Sequence, residues 1–111
     1  MNKEIKKYLH DILDCIAAIE IHFSDKKYFS VFQSNRTVRR AVERELEIIG
    51  EATNRILKID PEIQLSSSRS IVGLRNLIAH AYDSVDDAKI WGIIINHLPP
   101  LKKEVEEFLK N

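Results

Sequence analysis

Two runs of apolar residues spaced three and four apart constrain this chain more than any other feature. The first is Ile5, Leu9, Ile12, Ile16, Ile19 and Phe23; the second is Val38, Val42, Leu46, Ile49, Thr53 and Ile56. At about 100° per residue, side chains at these spacings fall on one helix face. Each run therefore predicts a long amphipathic helix, over Asn2 to Phe23 and from a cap at Ser34 or Asn35 to about Ile59. Neither stripe can be left in water, so the two helices must pack against each other or against further helices.

The rest of the chain fits the same plan. Ser24 or Asp25 is placed to cap a short helix through Phe29 and Phe32. Asp60-Pro61 ends the second long helix, and a polar loop with Ser66-Ser67-Ser68 follows. A further helix is expected from about Arg69 to Ala81. Ser84 with Asp87 three residues on resembles a capping box for a helix to about His97. Pro99-Pro100 breaks the chain and begins a last helix to Lys110. With only 3 Gly and 3 Pro in 111 residues, long helices with short connections are expected. No stretch alternates with period two for long enough to make a strand. The expectation is an all-α bundle of four to five helices, one domain over residues 1–111.

Composition narrows the functional classes. Seventeen basic and seventeen acidic residues cancel, so a whole-molecule field does not draw in nucleic acid; any such binding must come from a local patch. The single cysteine, Cys15, excludes an internal disulfide and suits a reducing cytosol. The chain enters a charged amphipathic helix at Asn2-Lys3-Glu4 with no signal peptide, and its strongest apolar stretch, around Trp91 to Ile95, is far too short to span a bilayer. A cytoplasmic protein is expected.

Chemistry concentrates in Arg75-Asn76-Leu77-Ile78-Ala79-His80-Ala81-Tyr82. With Arg75 set at 0° on a helix, Tyr82 falls at roughly −20°, Asn76 at about 100° and His80 at about 140°. Ile71, Leu74, Leu77 and Ile78 fall on the opposite arc, at roughly 200° to 320°. The polar arc also carries the small residues Gly73 and Ala79, which permit close approach of a ligand or a second chain. Arg supplies a fork of donors for phosphate oxygens, His moves a proton near neutral pH, Asn orients a neighbour, and Tyr stacks or donates. A merely solvated face is the competing reading, but such a face normally prefers Lys and Glu, and none stands between positions 71 and 82.

Other groupings are less specific. Arg36, Arg39, Arg40 and Arg44 crowd the start of the second long helix and make a candidate rim for RNA phosphates. Interleaved Glu43, Glu45 and Glu47 can equally pair with them on a solvated face. Gly50 costs about 1 kcal/mol in a helix interior, which suggests close packing there and places Glu51 to reach and orient Arg75 or His80; a plain surface Glu is the alternative. His10, His22 and His97 form no metal-ligand spacing with acids or cysteine, so no metal or cofactor is expected. There is no phosphate-binding glycine loop and no nucleophile elbow.

Arg75 to Tyr82 matches R-x4-H-x-Y, and the chain thereby resembles the HEPN-domain ribonuclease toxins. Asn76 after the arginine is similar to the HepT branch, the partner of a minimal nucleotidyltransferase antitoxin. Ile48-Ile49-Gly50-Glu51-Ala52 resembles a segment of that family's second long helix, and Ile90-Trp91-Gly92-Ile93-Ile94 with Leu98-Pro99 resembles its C-terminal region. The resemblance implies a HEPN-like bundle that forms a homodimer with facing motif helices, or a higher hetero-oligomer with its antitoxin. It implies metal-independent RNA cleavage by 2′-OH attack, with Arg75, Asn76, His80 and Tyr82 as the catalytic set. It also implies that Tyr82 accepts AMP from the antitoxin. The alternative is a non-catalytic helical subunit that holds a nucleotide or substrate for a separate nucleotidyltransferase through Arg75 and His80.

Overall fold

A computed structural model describes residues 2–23, 29–66, 68–73 and 87–110. These form α1 (Lys3–Phe23), α2 (Phe29–Ser34), α3 (Arg36–Ile59), a helical stretch α4 (residues 68–73), α5 (Asp87–Asn96) and α6 (Leu98–Lys110), with no strand among the described residues. The expected all-α bundle is observed, and the short helix expected through Phe29 and Phe32 is α2.

The two apolar stripes are the core. Leu9, Ile12, Ile16 and Ile19 of α1 and Val42, Leu46, Ile49 and Ile56 of α3 are all buried, and α1 against α3 is the largest helix–helix contact among the described residues. Burying a side chain of this size contributes about 1.5–3 kcal/mol. Thr53 lies in the same stripe and is fully buried; its Oγ1 donates to the Ile49 carbonyl at 2.8 Å, so no polar atom is stranded. Gly50 is buried on α3 as well.

Local chemistry sets where these helices begin and end. Asn2 Oδ1 accepts from the backbone N–H of Glu4 at 2.7 Å and of Ile5 at 3.2 Å, capping α1. Asn35, rather than Ser34, caps α3: its Oδ1 accepts from Val38 N at 3.1 Å. At the other end Asp60 N donates to Ile56 O at 2.8 Å, and Asp60 Oδ1 accepts from Glu62 N at 3.2 Å to turn the chain. The expected caps Ser24, Asp25 and Ser84 lie outside the described residues.

The C-terminal boundary differs from expectation. α6 starts at Leu98, ahead of Pro99-Pro100, and only His97 separates it from α5. Prolines fit the first helical turn because no intrahelical partner exists for their missing N–H groups. Leu98 is buried and favours this start, while the Leu101 N–H reaches His97 O at 3.2 Å.

Two further contacts fix the outer elements. Trp91 of α5 lies edge-on to Phe23 at 5.3 Å between ring centroids and stacks on Phe32 at 5.8 Å, with Phe29 at 6.1 Å. This cluster ties α5 to the ends of α1 and α2. The loop after α3 is held by α6: Glu104 accepts from Ser66 N at 3.1 and 3.2 Å through its two oxygens. With Leu65 and Ile71 buried on either side of that tether, the direction in which α4 leaves the loop is set.

Cys15 is a core thiol. Burial, and then hydrogen bonding to Glu45, push its pKa up to about 12, so it stays protonated and unreactive at neutral pH.

Phe32 is fully buried at the centre of the aromatic cluster, so Phe32→Ala should lower unfolding free energy by about 3–5 kcal/mol. Asn35→Ala, which removes a surface cap only, should cost about 1 kcal/mol. Urea denaturation followed by circular dichroism distinguishes the two; equal losses would show that the cluster does not hold the bundle together.

Candidate functional site

The residues singled out for chemistry, Arg75, Asn76, His80 and Tyr82, lie outside the described residues. The elements that carry them into the fold do not. α4 leads into the motif: Gly73 precedes Arg75 by two residues, so their Cα atoms can be no more than about 7.6 Å apart. α5 receives the chain at Asp87, five residues after Tyr82.

α4 has one buried residue, Ile71, at 1% exposure, while Arg69, Ser70 and Gly73 are exposed. Ile71 stands on the expected apolar arc, and Arg69 and Gly73 on the polar one. Arg69 and Gly73 stand four residues apart and share one face. Across from it, α5 presents Lys89, Gly92 and Asn96, again at helical spacing, and turns its apolar residues Ile90, Ile93 and Ile94 into the core. Between the two helices is an open cavity of about 470 Å³ lined by these groups together with Ser70, His97 and an edge of Ile93. The dimension is that of a small-ligand pocket.

The start of α3 carries the arginines expected to meet phosphates. Arg36 and Arg40 are exposed and Arg39 is half-buried. Arg39 donates through Nη1 to the Gln33 carbonyl, where it closes the junction of α2 and α3. Arg44 pairs with Glu47 at 3.7 Å, one of the interleaved pairings anticipated for this face. Arg40 and Arg39 both act on Glu43, a half-buried carboxyl whose pKa is raised. Burial is the main cause; the arginines oppose it and Asp87 at the start of α5 reinforces it.

Glu51, expected to orient the motif, lies further along α3. Its Oε1 accepts from Arg55 Nε at 2.9 Å. The Tyr8 phenol of α1 and then Glu51 favour the charged form of Arg55. Lys7 sits over the Tyr8 ring, 5.0 Å from its centroid. No group of three or more His, Cys, Asp or Glu converges among the described residues in a way that could hold a metal.

The sequence marks Arg69 only as a helix start, and His97 only as a helix end without metal-ligand spacing. It assigns no role to Lys89 or Asn96. The available signal was the Lys89–Gly92–Asn96 spacing on one face of α5, but nothing in sequence says that this face looks across at α4.

Residues 12–108 match the family described as Ribonuclease HepT-like. A Methanocaldococcus jannaschii protein named as an RNase is 36% identical over 106 residues, covering 94% of this chain and 95% of that protein. A Thermococcus cleftensis protein named as ribonuclease HepT is 34% identical over 114 residues, covering 99% and 100%. A Caldanaerobacter subterraneus protein named as an RNase is 34% identical over 117 residues, covering 97% and 96%. No solved structure matches the chain significantly.

The raised pKa of Glu43 has a signed consequence for stability. Because folding raises it, its contribution is most favourable below the ordinary carboxylate range and is lost as pH rises through the folded value. Glu43→Gln should therefore slightly raise the melting temperature at neutral pH, with the gain shrinking in acid; the group is partly exposed and solvent keeps the effect small. A gain that instead grew on acidification would contradict burial as the main cause.

Proposed function

The chain belongs to the HepT-like ribonuclease family, and from that membership we propose that it is the toxin of a toxin–antitoxin pair, a metal-independent endoribonuclease silenced by AMP transfer to Tyr82. The observation that carries the reading is the set Arg75, Asn76, His80 and Tyr82, complete at motif spacing inside the matched segment.

In this mechanism a ribose 2′-oxygen attacks the adjacent phosphorus and loses its proton to a general base, while the bond to the 5′-oxygen breaks and that oxygen takes up a proton. The products are a 2′,3′-cyclic phosphate and a 5′-hydroxyl. His80 is the proton carrier, as its ordinary pKa lies near neutrality. Arg75 offsets the charge that builds on the phosphoryl oxygens, Asn76 positions the phosphate or His80, and Tyr82 lines the site. A homodimer would bring two motif helices together around the RNA, with Gly73 and Ala79 allowing the approach. Arg36, Arg39 and Arg40 are proposed as outlying phosphate contacts, Arg39 the weakest of them because it already binds Gln33 O.

His80→Ala and Arg75→Ala should each lower RNA cleavage about 100- to 10,000-fold with circular dichroism unchanged. The wild-type protein should remain active in EDTA. A folded His80→Ala protein with near-normal activity would refute the assignment of the proton carrier. Intact RNA after long incubation with the wild-type protein would favour the non-catalytic substrate-binding subunit instead.

Regulation follows from the phenol. Its oxygen attacks the α-phosphorus of ATP on the partner nucleotidyltransferase, pyrophosphate leaves, and the adduct sets a negative phosphate close in sequence to Arg75, where it competes with RNA. Intact-mass spectrometry after incubation with the partner, ATP and Mg²⁺ should show one or more AMP units on the wild type and none on Tyr82→Phe. An adduct mapped to Tyr8 or Tyr28 would overturn this route.

A further inference from the structure

We propose that the groove between α4 and α5 is a second RNA-binding site, holding the backbone of nucleotides next to the cleaved one through Arg69 and Lys89. The inference rests on the ribonuclease reading and extends it to residues that the motif does not contain.

Three observations support it. The first is the pair of glycines in the groove wall. Gly92 is in the interior of α5, where glycine costs about 1 kcal/mol relative to alanine. A methyl group built on Gly92, or on Gly73 opposite, meets no described atom within 4 Å. Packing against described residues therefore does not require either glycine, yet both keep the same cavity of about 470 Å³ open. That space is large enough to admit a sugar and its phosphate.

The second is charge. Arg69 and Lys89 face the groove from opposite helices, and among the described residues no carboxylate lines it. Among the described residues neither forms an ion pair. Ser70 and Asn96 add uncharged hydrogen-bonding groups, and His97 adds a further basic side chain. Two cations among neutral donors suit a chain of phosphates and sugar hydroxyls. By contrast, Arg39 and Arg44 on α3 are engaged with Gln33 O and Glu47.

The third is position. Gly73 lies two residues ahead of Arg75, so the groove adjoins the motif along the chain.

The test uses a fluorescein-labelled short RNA with 2′-O-methyl groups, which binds but cannot undergo 2′-OH attack. Arg69→Ala with Lys89→Ala should raise the Kd by roughly tenfold, and the slope of log Kd against log salt should fall by about 1.4, as expected for two lost phosphate contacts to a single strand. Gly92→Leu fills the groove without removing charge: it should weaken binding, keep the salt slope, and melt no lower than wild type. Lys58→Ala, an exposed α3 cation outside the groove, should bind as wild type.

Wild-type affinity and slope in the double variant, or wild-type affinity in Gly92→Leu, would overturn the proposal. If Gly92→Leu lowers the mass seen by light scattering while the charge variants bind RNA normally, the groove is a protein interface and the proposal falls. A wild type that cleaves RNA with groove variants matching its KM removes the groove alone. A wild type that neither binds nor cleaves RNA removes the ribonuclease reading with it.

Discussion

The apolar seam between α1 and α3 is the contact on which everything else rests. It joins two helices of 21 and 24 residues along matching stripes. Helices are only marginally stable in water until such a stripe is covered. Once paired, they form a rigid floor on which the shorter helices are hung. The one polar side chain fully buried in the seam, Thr53, is satisfied by its own helix, and the one thiol, Cys15, is kept protonated by burial and Glu45. The seam is thus chemically inert, and reactivity is left to the elements attached to it.

Those elements are held by few but specific contacts. The aromatic cluster of Phe23, Phe29, Phe32 and Trp91 secures α5. Lys102 reaches Glu20 at 3.0 Å to join α6 to α1, and Glu104 on the same helix receives Ser66 N. α6 therefore acts as a brace: one helix both grips the floor and anchors the loop that aims α4. The exposed ion pair adds little by itself, while the loop tether satisfies a backbone donor and so contributes orientation. The result is two walls, α4 and α5, with their buried isoleucines pointing inward and their cations and glycines outward.

Much of the fold was legible in the residues. The α1 and α3 stripes, a cap at Ser34 or Asn35 and the Asp60 stop follow from periodicity and side-chain geometry that act over three or four residues; the structure chose Asn35. The α6 boundary did not, because Pro99 and Pro100 are compatible both with a break and with a first helical turn, and the burial of Leu98 favours the turn. Arg39 shows the same limit at the candidate site. Its place in an arginine cluster was readable, but its bond to Gln33 O depends on how α2 meets α3.

What the sequence by itself determined is the helical class, the two long helices, and the motif Arg75-Asn76-His80-Tyr82 with the family it signals, since all of these depend on spacing along one chain. What only the tertiary structure decided is which faces meet. Lys89, Gly92 and Asn96 become one side of a groove because Trp91 turns α5 against the aromatic cluster, and Arg69 faces them because Ser66 is held by Glu104. Those contacts join residues distant in sequence, 38 positions apart for Ser66 and Glu104, and no local pattern encodes a distance of that kind.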